Sequence, residues 1–494
     1  MWFGPSLQSA SGKLKLWCIE FTCSQDHILR TTEEPLRRGF YNAGQMNGCS
    51  RRLFSRWLTW LGAACVFMAG AGRTASAQTA ALPAPTLIEF WHIFPDAPRQ
   101  QWIRERAAEF HRLHPDIQVR PVAYANYPQA FQALATAART GKAPALVQIS
   151  EAGTQLAVDS MLFRPLSRAA AGQLGDYLPA VLNYYRVGGQ LYGLPFNTSS
   201  PVLYVNTSLL KKAGLAGTRL PDTLERLTQT CGALKRAGSA GPCLTFPVDA
   251  WYFEQWSAQQ GALWVDGSNG RQSRTTKTFL MGEAVARPLR WLSAMQRAGY
   301  YVNTGKIEDN AGVTQLFLKG QIPFLMTSSS RIGQVLSGSR QRGFTVQVGR
   351  MPVPQGSPRQ GLVVGGSSLW IPREITPQSA AAAQDFALYL TSTANLASWH
   401  HLSGYDPLRQ SSVDLLRQQG WLQPGQAHTV AVDQFRSTRA SPATAGALFG
   451  SFYEVRAVLH AAIERVLAGA DVAASLKAAQ TRADEIIHAY NARF

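Results

Sequence analysis

Few residues of this 494-residue chain are spaced for covalent chemistry. There is no H-E-x-x-H zinc pair, no G-x-S-x-G nucleophile elbow and no C-x-x-C redox pair. Gly141-Lys142 is only superficially like a phosphate loop, because the G-x-x-x-x-G-K-[ST] frame around it is missing. Gly365-Gly366-Ser367-Ser368 has the spacing of neither loop type. His400 and His401 are adjacent, and neighbouring residues on a helix do not converge on one site. They read as solvated residues following Trp399. Without a paired acid and base, catalysis is not expected, and neither is a metal or a cofactor. Tryptophan (13), tyrosine (15) and phenylalanine (22) are plentiful, which suits a core and also a pocket that stacks on a ligand.

The elements that would hold such a pocket follow from periodicity. Residues 86–91 read as a buried strand and residues 100–114 as a helix with Trp102, Ile103, Ala107 and Phe110 on its apolar face. A strand at 117–120, a helix at 127–139 and a strand at 145–149 continue the alternation. Strand–helix–strand–helix–strand predicts a parallel α/β sheet. Further helices are expected at 224–237, 282–298 and 313–318, and short strands at 322–326, 346–348 and 369–371. From 377 onward the chain reads as almost all helix, ending in 452–467 and 473–493. The length suggests two or three units, and strands that return in the middle fit two interwoven lobes.

The start of the chain reads as a targeting segment. Arg51, Arg52 and Arg56 are basic, residues 58–70 form a short apolar run, and Ala75-Ser76-Ala77 is an A-x-A cleavage signal. A mature chain beginning near Gln78 is expected; an N-terminal anchor is the alternative. Met46 lies close to the basic run, so 46–77 reads as the signal peptide and 1–45 as an upstream extension. Ser50-Arg51-Arg52-Leu53-Phe54 resembles a twin-arginine export motif, though Sec leaders carry paired arginines too. Cys65 follows Gly62-Ala63-Ala64, which lacks the leucine of a lipoprotein signal. Beyond the leader only Cys231 and Cys243 remain, as a disulfide or as two free buried thiols. The net charge is +18, and about +13 stays with the body. It is spread without a block of basic residues, so a solvated surface and not a nucleic-acid interface is expected.

An ordered set of segments carries a resemblance. Leu87-Ile88-Glu89-Phe90-Trp91-His92 is followed by Pro115-Asp116-Ile117, Ala125-Asn126-Tyr127 and Thr140-Gly141-Lys142-Ala143-Pro144-Ala145. Then come Glu151-Ala152-Gly153-Thr154 and the run from Tyr192-Gly193-Leu194-Pro195 through Asn197-Thr198-Ser199-Ser200-Pro201 to Asn206. Gly365-Gly366-Ser367-Ser368-Leu369-Trp370, Trp399-His400 and Gly404-Tyr405 close the series. From Leu87 to near the C-terminus the chain resembles the family 1 extracellular solute-binding proteins of ABC importers, most of all the branch that binds glycerol-3-phosphate.

The resemblance implies a type II periplasmic binding protein, an α/β fold of two interwoven lobes with a ligand cleft between them. Lobe 1 is expected over 84–198 plus 328–364, and lobe 2 over 199–327 plus 365–494. Crossings are expected at 197–201, 326–328 and 364–367, where small residues absorb backbone rotation. By resemblance the ligand would meet Tyr127, Glu151, Ser199, Trp251, Ser330, Gly366 and Tyr405. The ligand would be glycerol-3-phosphate or a glycerophosphodiester, with a carbohydrate as the alternative. The partners implied are that small polar ligand and the transmembrane subunits of a permease, for a monomer in the periplasm. One departure stands out: Leu448 occupies the position of the family's phosphate-binding arginine, and leucine cannot offer that paired, charge-assisted grip.

Overall fold

The computed structural model describes residues 84–494. The leader, its cleavage point and the 1–45 segment lie outside the described residues. Strands in the first half are β1 (Thr86–His92), β2 (Ile117–Ala123), β3 (Leu146–Ser150), β4 (Phe163–Arg164), β5 (Arg186–Val187), β6 (Gln190–Leu191), β7 (Leu194–Ser199) and β8 (Pro201–Asn206). The remainder are β9 (Leu244–Thr245), β10 (Tyr301–Val302), β11 (Phe324–Ser328), β12 (Val346–Arg350) and β13 (Gly365–Pro372).

Two mixed sheets result. The first runs β2-β1-β3-β13-β4, with β7 also on β13; the second runs β10-β9-β11-β8-β12. In the first sheet β1 pairs parallel with β2 and β3, while β13 runs antiparallel to β3 and β7. The second repeats the plan: β9 is parallel to β10 and β11, and β8 runs antiparallel to β11 and β12. The parallel expectation thus holds for the first three strands of each sheet, and a strand returning from elsewhere in the chain adds the antiparallel part.

Each sheet is covered on both faces, which is why its strands read as unbroken apolar runs. In β8, Leu203 and Val205 enter one core cluster and Val202 and Tyr204 another. In β13, Leu369 and Ile371 face one cluster and Trp370 the opposite one. Helix starts follow capping chemistry. Asn126 caps Tyr127–Arg139 and Asp249 caps Ala250–Gln259, each accepting from a backbone N–H of the first turn. Cys231 and Cys243 are disulfide-bonded and tie Leu224–Arg236 to the start of β9. No helix among the described residues is long and apolar enough to cross a membrane.

The lobe boundaries differ from expectation. β12 lies in the second sheet, so 328–364 does not return to lobe 1. β13 lies in the first sheet, and helix Pro377–Leu390 packs in the same cluster, so the segment after 365 begins in lobe 1. The last two helices, Phe452–Leu467 and Val472–Asn491, join the second lobe's core. The physical reason is pairing: β13 satisfies its ladder on β3 and β7, and no local pattern announces that partner.

Candidate ligand-binding site

The first crossing is where the sequence places it. β7 ends at Ser199 in one sheet, β8 begins at Pro201 in the other, and Ser200 is the link. Ser200 N–H donates to Ser329 Oγ at 3.2 Å, and Ser329 N–H returns a bond to the Ser200 carbonyl at 2.7 Å. The segment 326–328 is not a crossing, since β11 and the next helix, Ile332–Gln341, stay with the second lobe. The chain returns to lobe 1 between β12 and β13. There Gly366 has φ +153°, and a Cβ on it would overlap the Asn197 carbonyl oxygen. A Cβ on Gly365 would come within 2.6 Å of the Trp251 indole, so the lobes approach to backbone distance here.

A charge cluster spans this contact. Arg456, on helix Phe452–Leu467 of the second lobe, grips Glu254 with Nε and Nη2 at 2.8 and 2.9 Å. The same Nη2 reaches Glu151 Oε1 of the first lobe at 3.0 Å. Gly366 N–H donates to Glu151 Oε2 at 3.1 Å. Glu151 and Glu254 are buried and Arg456 nearly so. Burial pushes the Glu151 carboxyl up and Arg456 opposes it. Burial disfavours the Arg456 charge, but Glu254 and Glu151 override it and hold the guanidinium protonated. Next to Glu151, Ser150 Oγ and Tyr453 Oη are hydrogen-bonded at 2.5 Å, again lobe to lobe.

A neutral network lies beside it. Gln148 Nε2 donates to Asn197 Oδ1 at 2.8 Å and to Ser367 Oγ at 2.7 Å, and Ser367 Oγ bonds Asn197. Tyr127 approaches this group. Burial raises its hydroxyl well above the usual range, Tyr405 and Glu151 add to the rise, and Ser367 and Asn197 oppose it. Thr198 Oγ1 and Trp251 Nε1 are buried with no hydrogen-bond partner. Buried polar groups are rarely left so, and a polar solute can satisfy them.

The seven residues read from the sequence lie around this junction in different states. Tyr127 and Gly366 line it, and Glu151 sits at its centre with both oxygens already accepting. Trp251 packs against Gly365. Ser199 Oγ donates to the Gly365 carbonyl at 3.5 Å. Tyr405 stacks on Trp399 with rings 5° from parallel and Arg99 5.6 Å above it. Ser330 pairs its hydroxyl with Ser328 at 2.9 Å, and its Cα packs against Gly404, which precedes Tyr405. Leu448 is buried in an apolar cluster of the first lobe, and its main chain bonds Asn269. The nearby Arg271 is spent on carbonyl oxygens of Gly446 and Asn183 at 3.0 and 2.9 Å. Two hollows on the second lobe, about 430 Å³ beside Arg417 and Asp433 and about 340 Å³ beside the Cys231–Cys243 disulfide, are lined by none of the seven.

Arg456, Glu254 and Asn197 were not singled out from the sequence. A signal existed for Arg456: it falls within the apolar stripe of its helix, between Phe452, Val455 and Leu459. A charge in such a stripe needs a buried partner.

A two-lobed α/β clamp with a polar junction at its chain crossings defines a solute-binding protein. Residues 105–424 match the family model of the bacterial extracellular solute-binding proteins, and the chain belongs to that family. Among its relatives is the sn-glycerol-3-phosphate-binding periplasmic protein UgpB of Salmonella typhimurium. The two are 28% identical over 396 residues, covering 78% of this chain and 89% of that protein. UgpB of Yersinia enterocolitica is 27% identical over 417 residues, covering 82% and 93%. UgpB of Mycobacterium tuberculosis, solved in complex with glycerophosphocholine, superposes with a TM-score of 0.68 at 22% identity, covering 82% of this chain and 99% of that one. The sugar-binding protein MalE of Xanthomonas citri gives 0.68 at 21% identity, covering 82% and 98%.

Proposed function

We propose that the protein captures a glycerophosphodiester or glycerol-3-phosphate in the periplasm and delivers it to the transmembrane subunits of an ABC importer, without catalysis. Its ligand is a small solute buried between the lobes, and no nucleic acid or second copy is needed for that task. The observation that carries the ligand class is the charge at the junction, taken with the names of the relatives. Glu151 and Glu254 share the guanidinium of Arg456, and Leu448, buried in the first lobe's apolar cluster, brings no second cation to them. A phosphate monoester dianion would face this surplus of carboxylate. A diester carries one negative charge, and a cationic headgroup on it would be welcome beside Glu151.

Calorimetric titration with glycerophosphocholine, glycerol-3-phosphate and maltose tests the reading. The diester is expected to bind about tenfold tighter than the monoester, equivalent to about 1.4 kcal/mol. Tightest binding of maltose would transfer the assignment to carbohydrate. The aromatic faces of Tyr127, Trp251 and Tyr405 favour that second reading.

The proposed contacts have their own test. Tyr127→Ala is expected to weaken ligand binding by about 1–3 kcal/mol while leaving the unfolding midpoint near that of the wild type. Trp251→Ala is expected to lose both affinity and stability, because Trp251 belongs to the second lobe's core cluster. Normal affinity in both variants would move the site elsewhere.

A further inference from the structure

Next to the junction, entirely within the second lobe, three side chains converge that the solute-binding reading does not use. Asp249 ends the loop before helix Ala250–Gln259, and its Oδ1 accepts from Trp251 N–H at 2.9 Å. Glu308 is brought alongside by main-chain pairing: Val248 bridges to Ile307, and Glu308 N–H donates to the Val248 carbonyl at 3.0 Å. His460 comes from helix Phe452–Leu467, one turn beyond Arg456. Its Nε2 lies 3.9 Å from Asp249 Oδ1 and 3.8 Å from Glu308 Oε1. One donor atom from each residue lies within 4.8 Å of both others.

Two features set the cluster apart from ordinary surface acids. His460 is 7% exposed, and its Nε2 points into the cluster with no hydrogen-bond partner. A buried imidazole nitrogen is normally paired, and 3.8 Å is too long for a hydrogen bond. The surroundings are also short of positive charge. Asp249, Glu308, Glu254 and Glu151 gather around the single guanidinium of Arg456. Burial and the Asp249 carboxylate push the Glu308 carboxyl up, with His460 and Arg456 opposing.

We propose that Asp249, Glu308 and His460 form a binding site for a divalent transition-metal ion, Zn²⁺ being the best match. One imidazole nitrogen and two carboxylate oxygens are a borderline donor set that suits zinc. Tetrahedral coordination at roughly 2.0–2.1 Å sets donors about 3.3 Å apart. The two His460 spacings, 3.9 and 3.8 Å, must each shorten by about half an ångström to reach this; the half-exposed Glu308 side chain can move in toward both partners, and a small rotation of the His460 ring would close on Asp249. Three protein donors leave a coordination position for water or a solute oxygen. The ion would also neutralise the carboxylate surplus beside Trp251 and brace the start of its helix. The site does not depend on which solute the cleft takes.

The test uses untagged protein dialysed against EDTA and then titrated with Zn²⁺ alone. Wild type is expected to bind one equivalent, with a rise in unfolding temperature on adding the ion. Glu308→Gln, on the exposed side, is expected to fold normally, to weaken binding at least ~10-fold and to abolish the temperature rise. His460→Gln is expected to do the same, and Co²⁺ in place of Zn²⁺ should give a visible spectrum in wild type that both variants lose. Absence of saturable Zn²⁺ binding in wild type overturns the proposal. So does equal binding by Glu308→Gln and wild type, which would put the ion elsewhere.

Discussion

Arg456→Met is expected to destabilise the protein by about 3–5 kcal/mol, the usual cost of removing one partner from a buried ion pair. The cost arises from what is left behind. Glu254 would lose two charge-assisted hydrogen bonds and Glu151 one, and neither carboxylate is exposed enough to recover them from water. Methionine fills similar volume, so the loss reports charge and not a cavity. Denaturant unfolding at neutral pH measures it. Adding Glu254→Gln to Arg456→Met is expected to restore a large part of the loss, since the double variant removes one of the stranded charges. A single-variant loss below about 1 kcal/mol would mean that Glu151 and Glu254 are solvated and that the cluster does not join the lobes.

Asp406→Asn is expected to change how stability depends on pH. Asp406 follows Tyr405, and its N–H donates to the Thr198 carbonyl at 2.7 Å, next to the crossing. The residue is 3% exposed, and burial pushes its carboxyl from 3.8 to about 8. The neighbouring Ser200 hydroxyl opposes that shift without reaching hydrogen-bond geometry. In the unfolded chain the carboxyl ionises near pH 4, whereas in the folded state it keeps its proton until about pH 8. Between these values the folded state binds more protons, so this group's contribution falls steadily as pH rises and levels off above pH 8. Asparagine does not titrate. The stability gap between variant and wild type is therefore expected to grow in the variant's favour from pH 4 to pH 8, by on the order of 5 kcal/mol. Any fixed cost of the amide shifts the whole curve and leaves this slope intact. Parallel curves for the two proteins across that range would show that Asp406 is ionised when folded.

Much of the secondary structure was legible because it is locally encoded. Helices Tyr127–Arg139 and Phe452–Leu467 begin and end where the apolar spacing says, and Asn126 caps the first of them. The run from β7 through Ser200 to β8 carries its crossing in a string of Ser and Thr between two apolar strands, and that too is local. The stretch 326–328 at the end of β11, leading into further serines, looked the same and is not a crossing. Its Ser329 instead bonds Ser200 from the second lobe, and composition does not distinguish a hinge from the surface a hinge rests on.

By itself the sequence determined most of the longer elements, their alternation and the solute-binding family, because periodicity and ordered landmarks act over a few residues at a time. Only the tertiary structure decided which sheet each strand joins. β13 completes a ladder with strands formed some 170 to 220 residues earlier, and the sheet edges, not the chain order, select that partner. It also decided the electrostatics of the site. Glu151, Glu254 and Arg456 come from three distant segments, and nothing local pairs them until folding withdraws water from all of them together. Loss of solvent makes their pairing strong and their mispairing costly, and burial of that kind is a property of the assembled lobes.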